Sequence, residues 1–123
     1  MPHILIQATP KLSGRIDVLG GALHEAALAC GHFPDGGVRT IAQSADFGLC
    51  GPRAWGADYV QVLIRIAPGR SVELVDEIAD TLFAAMKQVV EAWRGEGLHI
   101  GYQMEVTEFD KTKVRSGGVL SAP

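Results

Sequence analysis

The chain has 123 residues, 47% of them hydrophobic, and 11 Lys and Arg against 14 Asp and Glu give it a net charge of -3. This length suits one domain, or two small halves that share a core. The mild acidity argues against a nucleic-acid binder, which would need a basic stripe. No apolar run approaches the roughly 20 residues that span a bilayer, and the first residues lack the features of a secretory signal. We therefore expect a cytoplasmic protein without membrane or nucleic-acid partners.

The cysteines and histidines show no pattern of metal ligands. Cys30 and Cys50 do not form a C-x-x-C pair, and the four histidines are scattered along the chain. Cys30 falls on the apolar face of a predicted helix, where a buried free thiol is the ordinary interpretation. A reducing compartment also disfavours a disulfide between the two cysteines. We therefore expect no metal site.

The first half of the chain predicts a strand, a helix and a second strand. Residues 3–8 form a short apolar run with β-branched side chains, which is typical of a buried strand. Apolar residues recur at steps of three and four over residues 14–31, which predicts a helix that ends near Gly31. Turn-forming residues follow at 32–37, and the loose alternation of residues 38–47 predicts a strand with one exposed face.

The second half repeats this order after a loop over residues 48–56. Residues 58–66 alternate regularly and predict a strand. Ser71 is a good N-cap for a helix whose apolar stripe runs to Trp93, with glycines after it. Residues 98–106 alternate again and predict the fourth strand.

The strand–helix–strand order thus occurs twice, in residues 1–47 and 58–107, with a tail at residues 108–123. Similar offsets between the two halves indicate a structural duplication. Each unit should place its two strands in parallel through a right-handed crossover. The sequence therefore predicts a single α+β domain, in which duplicated β-α-β units form a four-stranded mixed sheet with two helices on one face.

The other face of such a sheet has no cover within one chain. We expect Val60, Leu63, Tyr102 and Met104 to contribute apolar surface there, and their exposure to water would be unfavourable. Burial of this face against further copies of the chain would remove the exposure. The sequence therefore predicts an oligomer.

Three segments carry a resemblance to a known family. They are MPHI at residues 1–4, GHFPDGGVR at residues 31–39, and the stretch from DYV at residues 58–60 to APGRSVE at residues 67–73. In order and spacing, up to about Val106, the chain resembles the 5-carboxymethyl-2-hydroxymuconate Δ-isomerase family of the tautomerase superfamily. This resemblance implies a duplicated β-α-β fold, a homotrimer, and isomerisation without a cofactor by an amino-terminal proline.

The chemistry of Pro2 fits that implication. Removal of Met1 would make the secondary amine of Pro2 the α-amino group of the chain, and such groups titrate near ~7.7–8.0. Burial beside the apolar residues 4–6 and nearby arginine cations would both lower this pKa. A base works best when its pKa lies near the working pH. The alternative is that Pro2 merely begins an edge strand, and a retained Met1 would leave its nitrogen an amide.

Arg39 and Arg70 match arginines that the family associates with the carboxylates of its substrate. A guanidinium holds a carboxylate through two parallel hydrogen bonds. The helix that begins at Ser71 would add backbone donors and a favourable dipole beside Arg70. The alternative is a solvated charge, or an ion pair with a residue such as Glu73 or Asp76.

Other positions are less informative or depart from the family pattern. Phe33 matches the pattern and could wall the pocket, although core packing is the simpler interpretation. Arg65 lies where the family tends to have a basic residue, but a charge on a strand face needs no functional explanation. Gln7 and Gln103 stand where the family commonly has acidic residues, and the tail at residues 111–118 lacks its amide-rich ending.

We therefore predict an isomerase that moves a double bond in an unsaturated 2-hydroxy or 2-oxo di- or tricarboxylate, with Pro2 as general base and acid and Arg39 and Arg70 as carboxylate binders. One alternative is a tautomerase that acts on another α-keto acid. The other is a non-catalytic trimeric protein that binds small molecules or serves as a scaffold.

Overall fold

The computed structural model describes residues 1–118 and 120–123. Two helices and four strands make up the main elements of this part of the chain. They are β1 (His3–Ala8), α1 (Ile16–Ala29), β2 (Arg39–Ser44), β3 (Asp58–Ile66), α2 (Val72–Gly95) and β4 (Ile100–Glu108). No helix in the described residues is long and apolar enough to cross a membrane.

The four strands form one mixed sheet in the order β2-β1-β3-β4. β1 pairs in parallel with β2, and β3 in parallel with β4, while β1 and β3 are antiparallel. α1 packs on β1 and β2, α2 packs on β4, and the two helices contact each other. The predicted fold, with duplicated β-α-β units and both helices on one face, is confirmed.

The core lies between this sheet and the helices. Alternate residues of β1 and β3 point towards the helices and are buried, as are the inward positions of α1 and α2. The largest completely buried side chains are Ile4, Ile6, Leu12, Leu19, Leu23, Ile64, Ile66, Ile78, Leu82, Met86, Val60 and Val90. Apolar residues that recur at every second position of the strands and about every 3.6 positions of the helices therefore pack together in one layer.

The predicted boundaries differ from the structure in three elements. α1 begins at Ile16 rather than at residue 14, β2 is shorter than predicted, and β4 continues to Glu108. Cys30 lies at the C-cap of α1 and is half-buried, with its Sγ–H donating to the Ala27 carbonyl at 3.1 Å. Helix ends fray, and a strand ends where its hydrogen bonds to the neighbouring strand end. Residue patterns define both kinds of boundary only loosely.

The face of the sheet away from the helices, here called the open face, carries three rows of side chains in register across the strands. The cationic row comprises Arg39, His3, Arg65 and Thr107. The aliphatic row comprises Ile41, Leu5, Leu63 and Glu105. The glutamine row contains one glutamine from every strand, namely Gln43, Gln7, Gln61 and Gln103. In each row the order of residues follows the strand order β2-β1-β3-β4.

Four residues were predicted to supply apolar surface on the open face, and for three of them this prediction was wrong. Val60 is completely buried under the helices, and Tyr102 and Met104 are packed against the same core. The register explains this, because Val60 lies opposite Tyr102 and therefore shares its face. Only Leu63 lies on the open face, as part of the aliphatic row. The open face is still partly apolar, but through other residues.

Candidate active site

The three predicted site residues come from different parts of the chain but converge at one end of the sheet. The first residues of β1 and β2 lie side by side, and the antiparallel β3 ends next to them. The Arg39 N–H donates to the Pro2 carbonyl at 3.0 Å, which extends the β1–β2 ladder to Pro2. Arg70 follows shortly after β3. The fold itself therefore brings Pro2, Arg39 and Arg70 to one region.

The amino terminus is enclosed at this end by the turn that precedes β2. Pro2 is buried and Met1 is half-buried. A Cβ atom placed on Gly37 would come within 2.5 Å of the Met1 amino nitrogen, so a residue with a side chain would displace that nitrogen. Gly37 therefore permits the amino terminus to lie directly against the turn.

The electrostatic surroundings favour a neutral amine at the amino terminus. Burial lowers the pKa of the Met1 amino group below its usual value near 8, and the nearby Arg39 and Arg70 cations lower that pKa further. In the structure Met1 is present, so the nitrogen of Pro2 is an amide. Pro2 is the residue next to the amine whose pKa these charges lower.

Arg70 is held in place by backbone and aromatic contacts. Its two terminal nitrogens donate to the carbonyls of Ala67 at 3.1 Å and His32 at 3.0 Å. Its Cζ lies 5.0 Å from the centre of the Phe33 ring, within the range of a cation–π contact. Among the described residues Arg70 forms no ion pair, neither with Glu73 nor with Asp76. The fixed guanidinium keeps its charge available to a ligand.

Arg39 differs from Arg70 in that its side chain is exposed. Within residues 1–118 and 120–123, its guanidinium forms neither an ion pair nor a hydrogen bond. Its positive charge nevertheless acts on the amino terminus, since it is one of the causes of the lowered pKa of the Met1 amine. The guanidinium of Arg70 is thus held by two hydrogen bonds, whereas that of Arg39 has none among the described residues.

His3 is a feature of this region that residue patterns missed. It lies in the cationic row between Arg39 and Arg65. Its Nε2 atom is buried and has no hydrogen-bond partner in the described part of the chain. Burial, the amino terminus and the two arginines all lower the pKa of its imidazole. The sequence feature that could have pointed to His3 is its position directly after Pro2, from which it lies on the opposite face of β1.

The C-terminal tail also reaches this end of the molecule. The backbone of Leu120 lies against Gly36, where an added Cβ would collide with the Leu120 carbonyl. The tail therefore lies against Gly36, and the amino terminus lies against Gly37. The aperiodic tail gave no indication of this contact.

A separate concavity of about 400 Å³ lies on the open face. Residues of the aliphatic and glutamine rows line it, and Gln61 Nε2 donates to Gln7 Oε1 at 2.8 Å across its floor. Pro2, Arg39 and Arg70 are not part of its lining. The two positions that depart from the family pattern, Gln7 and Gln103, therefore lie on the open face and not beside the amino terminus of the same chain.

Comparison with known proteins decides the family. A family model described as 5-carboxymethyl-2-hydroxymuconate isomerase matches residues 2–119. The chain belongs to this family. A crystal structure of a 5-carboxymethyl-2-hydroxymuconate isomerase from Deinococcus radiodurans R1 shares 27% identity, covers 94% of this chain and 88% of its own, and superposes with a TM-score of 0.81.

Two further solved structures of lower identity share the fold. A 5-carboxymethyl-2-hydroxymuconate delta-isomerase has 20% identity and a TM-score of 0.83, with 96% of this chain and 89% of its own covered. A protein described as a Q0 fused 4-OT wild type symmetric trimer has 23% identity and a TM-score of 0.60, with 97% and 94% covered. No curated protein matched the chain significantly. Membership of the 5-carboxymethyl-2-hydroxymuconate isomerase family supports an isomerase activity for this chain.

Proposed function

We propose that the chain, once Met1 is removed, is a cofactor-independent isomerase that uses the Pro2 amine as general base and acid. Its substrate is an unsaturated 2-hydroxy or 2-oxo di- or tricarboxylate that resembles 5-carboxymethyl-2-hydroxymuconate. Family membership supports the reaction class. The observation that carries the role of Pro2 is the enclosed amino terminus, where burial and two arginines lower the pKa of the terminal amine.

In the proposed reaction, the neutral Pro2 nitrogen takes the proton of the 2-hydroxyl group. The O–H electron pair forms the carbonyl at C2, the double bond from C2 to C3 moves to lie between C3 and C4, and C5 gains electron density. The protonated Pro2 then delivers the proton to C5, so the product is an isomer of the substrate. Arg39 and Arg70 hold carboxylates and stabilise the negative charge of the dienolate.

The working form that we propose is a homotrimer. In an isolated chain the open face exposes its aliphatic row, in which Ile41 is 58% exposed. Burial of such a surface between copies is favourable, and a structural neighbour is described as a symmetric trimer. Each subunit would be one tautomerase-like domain, with repeats at residues 1–47 and 58–107 and a tail at residues 108–123.

The decisive experiment compares protein that lacks Met1 with protein that retains it. Intact mass identifies each form, and turnover is measured by ultraviolet absorbance with 5-carboxymethyl-2-hydroxymuconate. Because an acylated nitrogen cannot accept a proton, we expect retained Met1 to reduce kcat by at least about 100-fold, in line with the contribution of a general base.

Variants separate the role of Pro2 from a general disturbance. In protein that lacks Met1, Pro2→Ala should reduce kcat strongly while weakening the binding of a dicarboxylate analogue far less. Pro52→Ala, in an exposed loop at the opposite end of the sheet, is the matched control and should leave kcat unchanged. Full turnover by protein with an intact Met1 would refute the role of Pro2.

A further inference from the structure

Phe33 lies where the apolar core meets Arg70. Its side chain belongs to the core between the sheet and the helices, but it is 7% exposed, whereas central residues such as Ile4 and Leu23 are completely buried. The guanidinium of Arg70 lies over its ring, with the Cζ atom 5.0 Å from the ring centre. Phe33 therefore contacts both the apolar core and a cation.

The backbone next to this ring contacts the same guanidinium. The carbonyl of His32 accepts a hydrogen bond from one terminal nitrogen of Arg70, although the two residues are 38 positions apart. The carbonyl of Ala67, only three positions from Arg70, accepts one from the other terminal nitrogen. The Ala67 contact is local, whereas His32 and Phe33 tie Arg70 to the segment that follows α1.

These contacts restrict the orientations in which Arg70 can meet a ligand. The ring lies on one side of the planar guanidinium, and each terminal nitrogen gives one donor to a carbonyl. The remaining N–H donors are the ones that a carboxylate can use. A mobile arginine loses side-chain freedom when it binds a carboxylate, which weakens binding. An arginine that is held in advance loses less.

We infer that Phe33 is a positioning residue, whose ring holds the Arg70 guanidinium in the orientation in which it receives a carboxylate of the substrate. This inference rests on the proposed function, because it assumes that Arg70 binds the substrate. The contact of one buried ring with a guanidinium that two carbonyls also hold carries it. Phe33 acts through Arg70, so its effect on binding depends on the presence of that guanidinium.

A double-mutant cycle separates this role from core packing. Protein that lacks Met1 is titrated calorimetrically with the dicarboxylate adipate. Phe33→Leu keeps an apolar side chain but removes the ring, so it should weaken adipate binding about 3- to 10-fold, which corresponds to the ordering of one long side chain on binding. In protein that also carries Arg70→Gln, Phe33→Leu should change the affinity by less than about 2-fold, because no guanidinium remains to be positioned.

A second measurement observes Arg70 without a ligand. The order parameter of its Nε–H bond, obtained from nitrogen-15 relaxation, reports how firmly the guanidinium is held. In the original protein it should resemble that of the rigid backbone, about 0.85, and in Phe33→Leu it should fall below about 0.6.

Phe83→Leu is the matched control, because it removes a ring that stacks on Tyr102, with ring centres 5.8 Å apart. It should change neither the adipate affinity nor the order parameter of Arg70. Equal losses of affinity by Phe33→Leu with and without Arg70→Gln, no loss in either, or an unchanged order parameter would overturn the inference. If Phe33→Leu fails to fold, Phe33→Met, whose flexible side chain adapts to the space of a ring, is judged by the same criteria.

The inference and the proposed function fail in different ways. Absence of turnover by an original protein that binds adipate would refute the proposed reaction but not the role of Phe33. Full turnover together with equal losses of affinity in both backgrounds would refute the role of Phe33 but not the reaction. Failure of the original protein to bind adipate would overturn both.

Discussion

At the scale of single residues, the amino terminus combines two needs that usually conflict. A base must be neutral near pH 7, and the carboxylates of an anionic substrate must be held by cations close to it. In the proposed site Arg39 and Arg70 would meet both needs, because cations that attract carboxylates also lower the pKa of a nearby amine, as they do for the Met1 amine. Under this proposal, substrate affinity and the pKa of the base would be coupled through the same two side chains.

This coupling predicts how the rate depends on pH. Since the neutral amine is the active form, kcat/KM should rise with pH to a plateau, with its midpoint below the usual value near 8 for an α-amino group. Arg39→Gln removes one of the two cations that lower the pKa of the amine, so the midpoint should move to higher pH. A series of kcat/KM measurements between pH 5 and 9 gives both midpoints.

The same series with Arg53→Gln, a substitution remote from the amine, is the control and should reproduce the original midpoint. A midpoint for Arg39→Gln at or below the original value would contradict the proposed influence of Arg39 on the amine. Burial is the larger cause of the lowered pKa, so we expect the midpoint to remain below 8 in this variant.

Residue chemistry predicted the candidate site only in part. Pro2, Arg39 and Arg70 were predicted from their chemical types and from the family pattern, and the structure brings them together. The support of Arg70 by the His32 carbonyl and the Phe33 ring depends on tertiary contacts, which no local spacing encodes. The unpartnered imidazole of His3 likewise appears only when three strands are aligned in register.

At the scale of elements, the parts with strong local signals were predicted best. α2 begins where its cap predicted, since Ser71 Oγ accepts a hydrogen bond from the Leu74 N–H at 3.2 Å. α1 lacks such a cap, as Arg15 precedes it without a side-chain hydrogen bond, and its start was misplaced. The tail has no periodicity at all, so its contact with Gly36 could not be predicted.

The contact between the tail and Gly36 is open to a direct test. Gly36→Ala would place a Cβ against the Leu120 backbone, which must move away. We expect this variant to release the tail, so trypsin should cleave after Arg115 several-fold faster, as it does in locally detached segments. The free energy of unfolding should change by less than about 0.5 kcal/mol, because the tail contributes little to the core.

Gly14→Ala is the matched control, since an added Cβ there meets no atom within 4 Å. Its cleavage rate should equal that of the original protein. If Gly36→Ala and Gly14→Ala were cleaved at the same rate, the tail would not depend on its contact with Gly36.

At the scale of the whole molecule, the alternation of each strand divides the sheet into a covered and an open face. Residue patterns predicted an uncovered face and hence an oligomer, yet they assigned most of its apolar surface to residues that belong to the core. The register between strands decides the face of each residue, and this register is a tertiary property. The glutamine row, to which every strand contributes one amide, became visible only in the same way.

The proposed homotrimer can be tested on the aliphatic row. Leu63→Asp would place a charge at the centre of the open face, and a charge buried without a partner is strongly unfavourable. We expect this variant to elute as a monomer in size-exclusion chromatography with light scattering. Val18→Asp, on the outer surface of α1 where Val18 is 57% exposed, is the control and should leave the mass unchanged. A trimer that tolerated Leu63→Asp would have to be built on another surface.

The close fit between Gly37 and the first residue has a consequence for how the protein matures. An aminopeptidase must draw the end of its substrate into a narrow cleft, and a half-buried terminus pressed against a turn cannot enter one. Under the proposed role of Pro2, removal of Met1 would therefore take place before folding, while the chain is still extended. We expect folded protein that carries Met1 to resist an aminopeptidase that trims the unfolded chain.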